Sequence, residues 1–152
     1  TDSSCSNNSS DMFEAVKVTA LLHKGFLLDP TVMNAEGVLR MATIGGARAL
    51  SWERRIGSLA PGKRADVIII DLQKPHLVPL YNEFSHLAYA AKCADVETVV
   101  VDGRIVVEER RVTMVNVDEV IRQASESKER IMTKLRDASG GSTLERTGEQ
   151  IR

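Results

Sequence analysis

A β-hairpin is the feature of this sequence that most restricts its fold. The run 96–108 contains two β-branched halves, VETVVV and RIVVE, on either side of Asp102 and Gly103. Both central residues of a two-residue hairpin turn adopt positive φ angles, which Asp and Gly tolerate. A third β-branched run, at 66–71, is bounded by acidic residues and is typical of a largely buried strand. We therefore predict that 66–71 and 96–108 are strands of one antiparallel or mixed sheet.

The remaining regular structure is predicted to be helical. Asp11 with Glu14, and Asn116 with Glu119, have the spacing of a capping box, in which a side chain at each end of the first turn accepts a backbone N–H. The predicted helices are 11–24 with a stop at Gly25, a helix capped by Asn34 that runs through Met41 with a short continuation capped by Thr43 up to Leu50, about 82–92, and 117–137. The Gly/Ser-rich and charged segment 138–152 is expected to be disordered. Because strands and helices do not alternate as βαβ units, the residue pattern alone indicates an α+β fold.

Composition narrows the classes of protein to which the chain can belong. Apolar residues make up 43% and charged residues 27% of its 152 residues, ordinary values for a globular protein. A formal net charge of −1 provides no basic field for phosphate backbones, so we expect no nucleic-acid partner. The strongly apolar run Val67–Ile70 is far shorter than the roughly 20 residues of a spanning helix, so we expect no membrane association.

Two features bear on where the protein resides. Cys5 and Cys93 lie far apart and outside any CxxC pattern, which favours a reducing, cytoplasmic location. The chain begins with Thr1 rather than Met, and its polar opening has none of the regions of a signal peptide. We therefore expect the natural start to be missing or processed.

Isolated motifs give weak signals. The segment Gly57–Arg64 nearly matches the phosphate-binding pattern GxxxxGK[ST], but Arg64 replaces the hydroxyl residue, and the segment precedes a predicted strand instead of following one. We interpret it as a turn that binds no nucleotide. The three histidines, His23, His76 and His86, are not paired as HxH or HExxH, so a structural hydrogen-bonding role is favoured over metal binding. Asp2, taken alone, is an acidic residue near a terminus.

Three stretches together resemble the amidohydrolase superfamily, in particular the branch of methylthioadenosine/S-adenosylhomocysteine deaminases and triazine chlorohydrolases. The stretches are TDSSCSNN with DMFE at 1–14, LRMATIGGARAL with IGSLAPGKRAD at 39–66, and PLYN, SHL and the strand pair ending in VDGR at 79–104. The resemblance covers residues 1 to about 137. It implies that the chain is a C-terminal fragment of such a hydrolase.

The resemblance also implies an architecture of the α/β class. Members of this family have a (β/α)₈ barrel with the catalytic metal at the C-terminal ends of its strands, and a small β-sandwich built from both chain ends. Mapped onto this chain, 1–50 is expected to be the tip of barrel strand eight and the helices that follow. Segment 51–116 is the C-terminal share of the sandwich with an inserted helix, 117–137 a closing helix and 138–152 the tail.

Asp2 occupies the position at which the family places an aspartate that binds Zn²⁺ or Fe²⁺ and moves a proton from the attacking water. The resemblance therefore implies that Asp2 is both a metal ligand and a catalytic residue, with Zn²⁺ as the first expectation and Fe²⁺ as the alternative. The family's remaining histidine ligands and its general acid have no counterpart in this chain. A metal site needs three or more protein ligands, so we expect the isolated chain to be inactive.

The function implied for the parent protein is hydrolysis of a C–N bond in an adenine-type nucleoside such as methylthioadenosine or S-adenosylhomocysteine. The alternatives are a triazine chlorohydrolase or aminohydrolase, a guanine deaminase, and a non-catalytic binding module. The expected partner is thus a small purine or triazine-like substrate. We also expect the isolated chain to be prone to self-association as a homo-oligomer, because its apolar helix faces have lost their barrel partners.

Overall fold

The computed structural model of the chain describes residues 1–138. It divides into two compact units, Thr1–Thr113 and a second that begins at Met114. In chain order, the first unit contains α1 (Ser4–Asn7), α2 (Met12–Leu27), α3 (Ala35–Arg40), a π-helical turn (Met41–Gly45), α4 (Gly46–Ala49), β1 (Val67–Ile70), α5 (Glu83–Tyr89), a 3₁₀ turn (Cys93–Asp95), β2 (Val96–Val101), β3 (Arg104–Glu108) and β4 (Arg111–Val112).

The core of the helical part lies where α2, α3 and α5 meet. It is formed by small aliphatic side chains, namely Val16, Ala20, Val38 and Ala88, which are at most 5% exposed. Small residues allow the three helices to approach closely, and burying their apolar surface is the main favourable term in packing them.

Helix α2 begins where it was predicted and ends later. Asp11 Oδ1 accepts hydrogen bonds from the backbone N–H groups of Phe13 (2.8 Å) and Glu14 (3.3 Å). The predicted stop at Gly25 is wrong, because the left-handed residue that ends the helix is Leu28, with φ of 52°. Lys24 secures this last turn, since its Nζ donates to the carbonyl oxygens of Val32 and Met33 in the following loop. The last turn of the helix, beyond its glycine, is thus bonded to the loop that follows it.

Two other helical predictions need correction. Asn34 caps α3 as predicted, through a 2.8 Å bond from Gly37 N–H. Thr43 caps nothing: its hydroxyl donates to the carbonyl of Leu39 within the turn, and the chain passes from α3 to α4 through a π-helical turn without a break. The predicted helix at 82–92 is shorter, because α5 ends at Tyr89 and the chain then enters the 3₁₀ turn that leads to β2.

The strands form one antiparallel sheet in the order β1-β2-β3-β4, which confirms the predicted sheet. The expectation that the first strand is largely buried is wrong, because Ile68 and Ile69 are about half exposed. The turn residues Asp102 (φ 51°) and Gly103 (φ 79°) both have positive φ, as the hairpin prediction required. Arg64 holds this turn against the start of β1 through two bonds to the Asp102 carboxylate, at 2.9 and 2.8 Å. This ion pair raises the pKa of Arg64. The two-residue strand β4 was not predicted.

The turn at Gly57 lies directly against the helical segment. Its φ of 84° is one that side-chain-bearing residues rarely adopt, and a Cβ placed there would lie 2.7 Å from Ala47 Cβ and 3.0 Å from Ile44 Cα. Only glycine permits both the turn and this close approach. The residue thus connects the helices to the segment that enters β1.

The second unit is described by its helix α6 (Val117–Ala138). Asn116 Oδ1 accepts a bond from Glu119 N–H (3.1 Å), which confirms the predicted start. Ala138, which was predicted to belong to a disordered tail, is the last residue of this helix, and residues 139–152 lie outside the described part of the chain. Within residues 1–138, no helix is long and apolar enough to cross a membrane.

Gly57 and Gly62 offer a matched test of this packing, because both have φ of 84° but only Gly57 has neighbours within 4 Å of a built Cβ. Either substitution to alanine imposes backbone strain of about 1–3 kcal/mol. Gly57→Ala should lower the free energy of unfolding by a further 1–3 kcal/mol or so, the usual cost of overpacking. Urea unfolding of the two variants measures the difference, and equal losses would contradict the close approach.

Candidate functional site

Asp2 lies in a loop that opens onto a polar pocket. The residue is exposed and adopts a left-handed backbone conformation, with φ of 62°. Its Oδ1 accepts a 2.7 Å hydrogen bond from the N–H of Ser3. The pocket has a volume of about 470 Å³ and is lined by Thr1, Asp2, Ser6, Asn7, Glu14, Ala15, Val18 and Thr19. An accessible carboxylate in a pocket with hydroxyl and amide groups is suited to binding a small polar molecule.

Hydrogen bonds between nearby residues hold the loop. The Asn7 amide donates to the carbonyl oxygen of Thr1 at 2.8 Å and approaches that of Ser9 at 3.5 Å. The hydroxyls of Ser4 and Ser10 are 2.8 Å apart, so they bridge the two ends of the loop. Ser9 then accepts a bond from the N–H of the residue that caps α2. The position of Asp2 is therefore coupled to the start of α2.

Asp2 has one carboxylate neighbour in its pocket, Glu14. Within residues 1–138, no group of three or more His, Cys, Asp or Glu side chains is arranged to hold a metal ion. A catalytic zinc site uses three protein ligands and an open position. The described residues therefore contain no complete site of this kind.

The histidines all form hydrogen bonds within the chain, in line with the structural role favoured for them. His23 Nδ1 lies 2.8 Å from the carbonyl oxygen of Thr19, one turn earlier in α2. The ring nitrogens of His86 lie 3.0 and 3.2 Å from backbone carbonyl oxygens at the start of α5 and in the preceding loop. His76 Nε2 lies 2.9 Å from Asp95 Oδ2.

Asp95 is a buried carboxylate that the sequence did not single out. The residue is 3% exposed, and it accepts hydrogen bonds from His76 and from the N–H of Lys92, both at 2.9 Å. Burial raises the pKa of Asp95, but the bonds from His76 and Lys92 and the nearby charges of His76 and Lys74 outweigh burial and lower that pKa overall. In the sequence, Asp95 is one of several acidic residues and lies just before a predicted strand. Only the fold shows that its partner is His76, 19 residues away.

The Gly57–Arg64 segment has the contacts of a structural turn. Lys63, the residue that would bind phosphate in a nucleotide-binding loop, donates through Nζ to the carbonyl of Glu53, to that of Ile56 (3.2 Å) and to Ser58 Oγ (2.7 Å). The segment leads into β1 and therefore presents no helix N-terminus to a phosphate. Its lysine stabilises the turn itself.

A second pocket lies between the start of α2 and one face of the sheet. Its volume is about 570 Å³, and it is lined mainly by apolar side chains, among them Met12, Phe13, Ile68, Val99 and Val107. Polar groups are needed to orient a reacting substrate, and this lining provides few. The Asp2 pocket is accordingly the better candidate for chemistry.

Comparison with known proteins agrees with the resemblance seen in the sequence. The model of the Amidohydrolase family matches residues 1–106. The chain belongs to the amidohydrolase family. It is 55% identical over 121 residues to a 5-methylthioadenosine/S-adenosylhomocysteine deaminase of Syntrophobacter fumaroxidans, an alignment that covers 80% of this chain and 28% of the relative.

Solved structures of this family have the same fold. An adenosine deaminase from Xanthomonas campestris with bound zinc superposes with a TM-score of 0.83 at 36% identity, covering 86% of this chain and 30% of that one. An atrazine chlorohydrolase from Arthrobacter aurescens, complexed with zinc, gives a TM-score of 0.74 at 24% identity, covering 82% and 28%. This chain therefore spans less than a third of the length of the proteins it matches. The expected α/β fold, as one part of an amidohydrolase, is confirmed.

Because Lys63 and Arg64 are bonded within the chain, we expect ATP to leave amide hydrogen exchange of residues 57–64 unchanged. Exchange measured by mass spectrometry with and without millimolar ATP and Mg²⁺ tests this directly. Protection of the loop by ATP would show that it binds nucleotides after all.

The bond between buried Asp95 and exposed His76 predicts an acid-dependent stability. The pKa of Asp95 in the folded chain lies below its ordinary value of 3.8. Ionised Asp95 therefore contributes stability that is fully present above that value and is lost as the pH falls through the folded pKa. Asp95→Asn should cost about 1–3 kcal/mol of unfolding free energy at neutral pH, as expected for a poorly satisfied buried polar group, and less in acid.

Urea unfolding at pH 7 and near pH 3 measures this difference. Glu83→Gln, which neutralises an exposed carboxylate in α5, serves as the control and should change little. A loss for Asp95→Asn that is independent of pH would contradict the depressed pKa.

Proposed function

We propose that this chain is the C-terminal portion of a metal-dependent amidohydrolase that deaminates an adenine-type nucleoside, such as methylthioadenosine or S-adenosylhomocysteine, and releases ammonia. The observation that carries the proposal is the 55% identity to a methylthioadenosine/S-adenosylhomocysteine deaminase across 80% of the chain. The exposed Asp2 carboxylate in a polar pocket supports it.

Asp2 is the catalytic residue in this proposal. One of its oxygens accepts the N–H of Ser3, which fixes the carboxylate relative to its own loop. Its carboxylate would be one ligand of the metal and would accept a proton from the water that attacks the purine ring. A carboxylate held within hydrogen-bonding distance of that water can then return the proton to the departing amine.

The proposed metal is Zn²⁺, with Fe²⁺ as the alternative, and its other ligands come from residues beyond those described. A bound divalent ion lowers the pKa of water to about 7 and so makes a nucleophile available at neutral pH. Zinc is favoured because the adenosine deaminase that shares this fold carries it. The proposed location is the cytoplasm, in keeping with two free cysteines.

Deamination is favoured over the chemistry of the chlorohydrolases. The identity to the atrazine chlorohydrolase is 24% and shows a shared fold alone, whereas the deaminase relative is more than twice as similar. No contact among the described residues favours guanine deamination or a non-catalytic module. Activity assays distinguish both from the proposed reaction.

The decisive variant is Asp2→Asn in the full-length protein that carries this sequence. The substitution keeps the size of the side chain but removes the proton acceptor, so kcat for ammonia release should fall by a factor on the order of 10² or more. Asp118→Asn, in the exposed first turn of α6, should retain activity. Ammonia release from methylthioadenosine, adenosylhomocysteine and guanine, together with chloride release from a chlorotriazine, separates the candidate substrates.

Two results would contradict the proposal. If the full-length protein turns over none of the adenine nucleosides, the substrate class is wrong. If Asp2→Asn retains wild-type kcat, Asp2 is not the catalytic aspartate.

A further inference from the structure

Asn7 bonds to the residue that precedes Asp2. Its Nδ2 group is 2.8 Å from the carbonyl oxygen of Thr1 and 3.5 Å from that of Ser9. The side chain therefore links two parts of the Asp2 loop, namely the Thr1–Asp2 peptide and Ser9, which precedes α2.

The orientation of the Asp2 carboxylate depends on the backbone that carries it. Asp2 adopts a left-handed conformation, with φ of 62°, which aspartate tolerates as a single residue. The bond from Asn7 fixes the Thr1–Asp2 peptide, and rotation of that peptide would change the φ angle of Asp2 and move its carboxylate. Asn8 also has a positive φ, of 59°, but it ends α1 through its backbone and does not line the pocket.

We propose that Asn7 is a positioning residue that holds the Asp2 carboxylate in its catalytic orientation by donating to the Thr1 carbonyl. The inference rests on the proposed catalytic role of Asp2. An asparagine suits the position because one primary amide has two N–H donors, which can serve two carbonyl oxygens. A carboxylate of the same shape has no donor and would repel both oxygens.

The test compares Asn7→Asp with Asn8→Asp in the full-length protein. Both variants add one negative charge at adjacent positions of the same loop, and aspartate tolerates the left-handed conformation of residue 8. Asn7→Ala is a milder second variant that removes the donor without adding charge. The readouts are hydrogen exchange of the peptide 1–10, the melting temperature, and kcat and KM for deamination per folded molecule.

Asn7→Asp should speed hydrogen exchange in the peptide 1–10. It should also lower kcat roughly 10-fold or more, with a smaller change in KM. This is the size of effect seen when a supporting hydrogen bond to a catalytic or metal-binding residue is lost. Asn7→Ala should follow in the same direction, and Asn8→Asp should match wild type. The melting temperature of all three should stay near that of wild type, because the loop is exposed.

Two other outcomes would overturn the inference. Unchanged exchange and kcat in both Asn7 variants, with an active wild type, would show that Asn7 does not position Asp2. A lower melting temperature with unchanged kcat per folded molecule would make its role merely structural. Lack of turnover by the wild type is a different result, since it would refute the proposed function itself and leave the exchange data to report on the loop.

Discussion

Asp11 joins the three parts of the first unit on which the candidate site depends. Its carboxylate Oδ1 caps α2 by accepting the N–H groups of Phe13 and Glu14. The Oδ2 atom accepts the N–H of Cys93, 82 residues away, at the entry to β2. The backbone N–H of Asp11 donates to Ser9 Oγ, in the loop that carries Asp2. Through its carboxylate and its backbone, one part-buried residue thus bonds to the Asp2 loop, to the longest helix of the unit and to the segment that enters the sheet.

Other long-range polar contacts have a similar function at the edges of the sheet. Asp95, just before β2, binds His76 across the loop that precedes α5, and Arg64 binds Asp102 across the hairpin turn. Buried or multiply bonded carboxylates of this kind specify which segments meet, since a misplaced segment would leave them without partners. The small aliphatic core holds the helices together, and these polar contacts determine which loops lie next to each other around it.

The sequence predicted the elements that have strong local signals. The hairpin at Asp102 and Gly103, the strand at 67–70 and the caps at Asp11, Asn34 and Asn116 depend on turn and cap chemistry confined to a few residues. The errors arose where contacts beyond a single turn, or an unusual helical turn, decide the outcome. Lys24 extends α2 past Gly25 through bonds to the following loop, and the π-helical turn makes Thr43 an internal residue.

The candidate site was predictable only through the resemblance to a family. Locally, Asp2 is an exposed acid, and its proposed role as a metal ligand comes from the resemblance. The buried partnership of Asp95 and the bridging bond of Asn7 gave no signal in the sequence, because a hydrogen-bond partner outside the local helix or turn is set by tertiary structure.

We propose that Asp2 is a ligand and proton acceptor in an amidohydrolase metal centre completed by residues beyond those that the structure describes. The most direct measurement is anomalous diffraction at the zinc edge from crystals of the full-length, zinc-loaded protein. Our account predicts a zinc ion about 2.0–2.2 Å from a carboxylate oxygen of Asp2, the usual Zn–O distance, with histidines from preceding segments as the other ligands. A zinc ion bound elsewhere, with Asp2 outside its coordination shell, would contradict it.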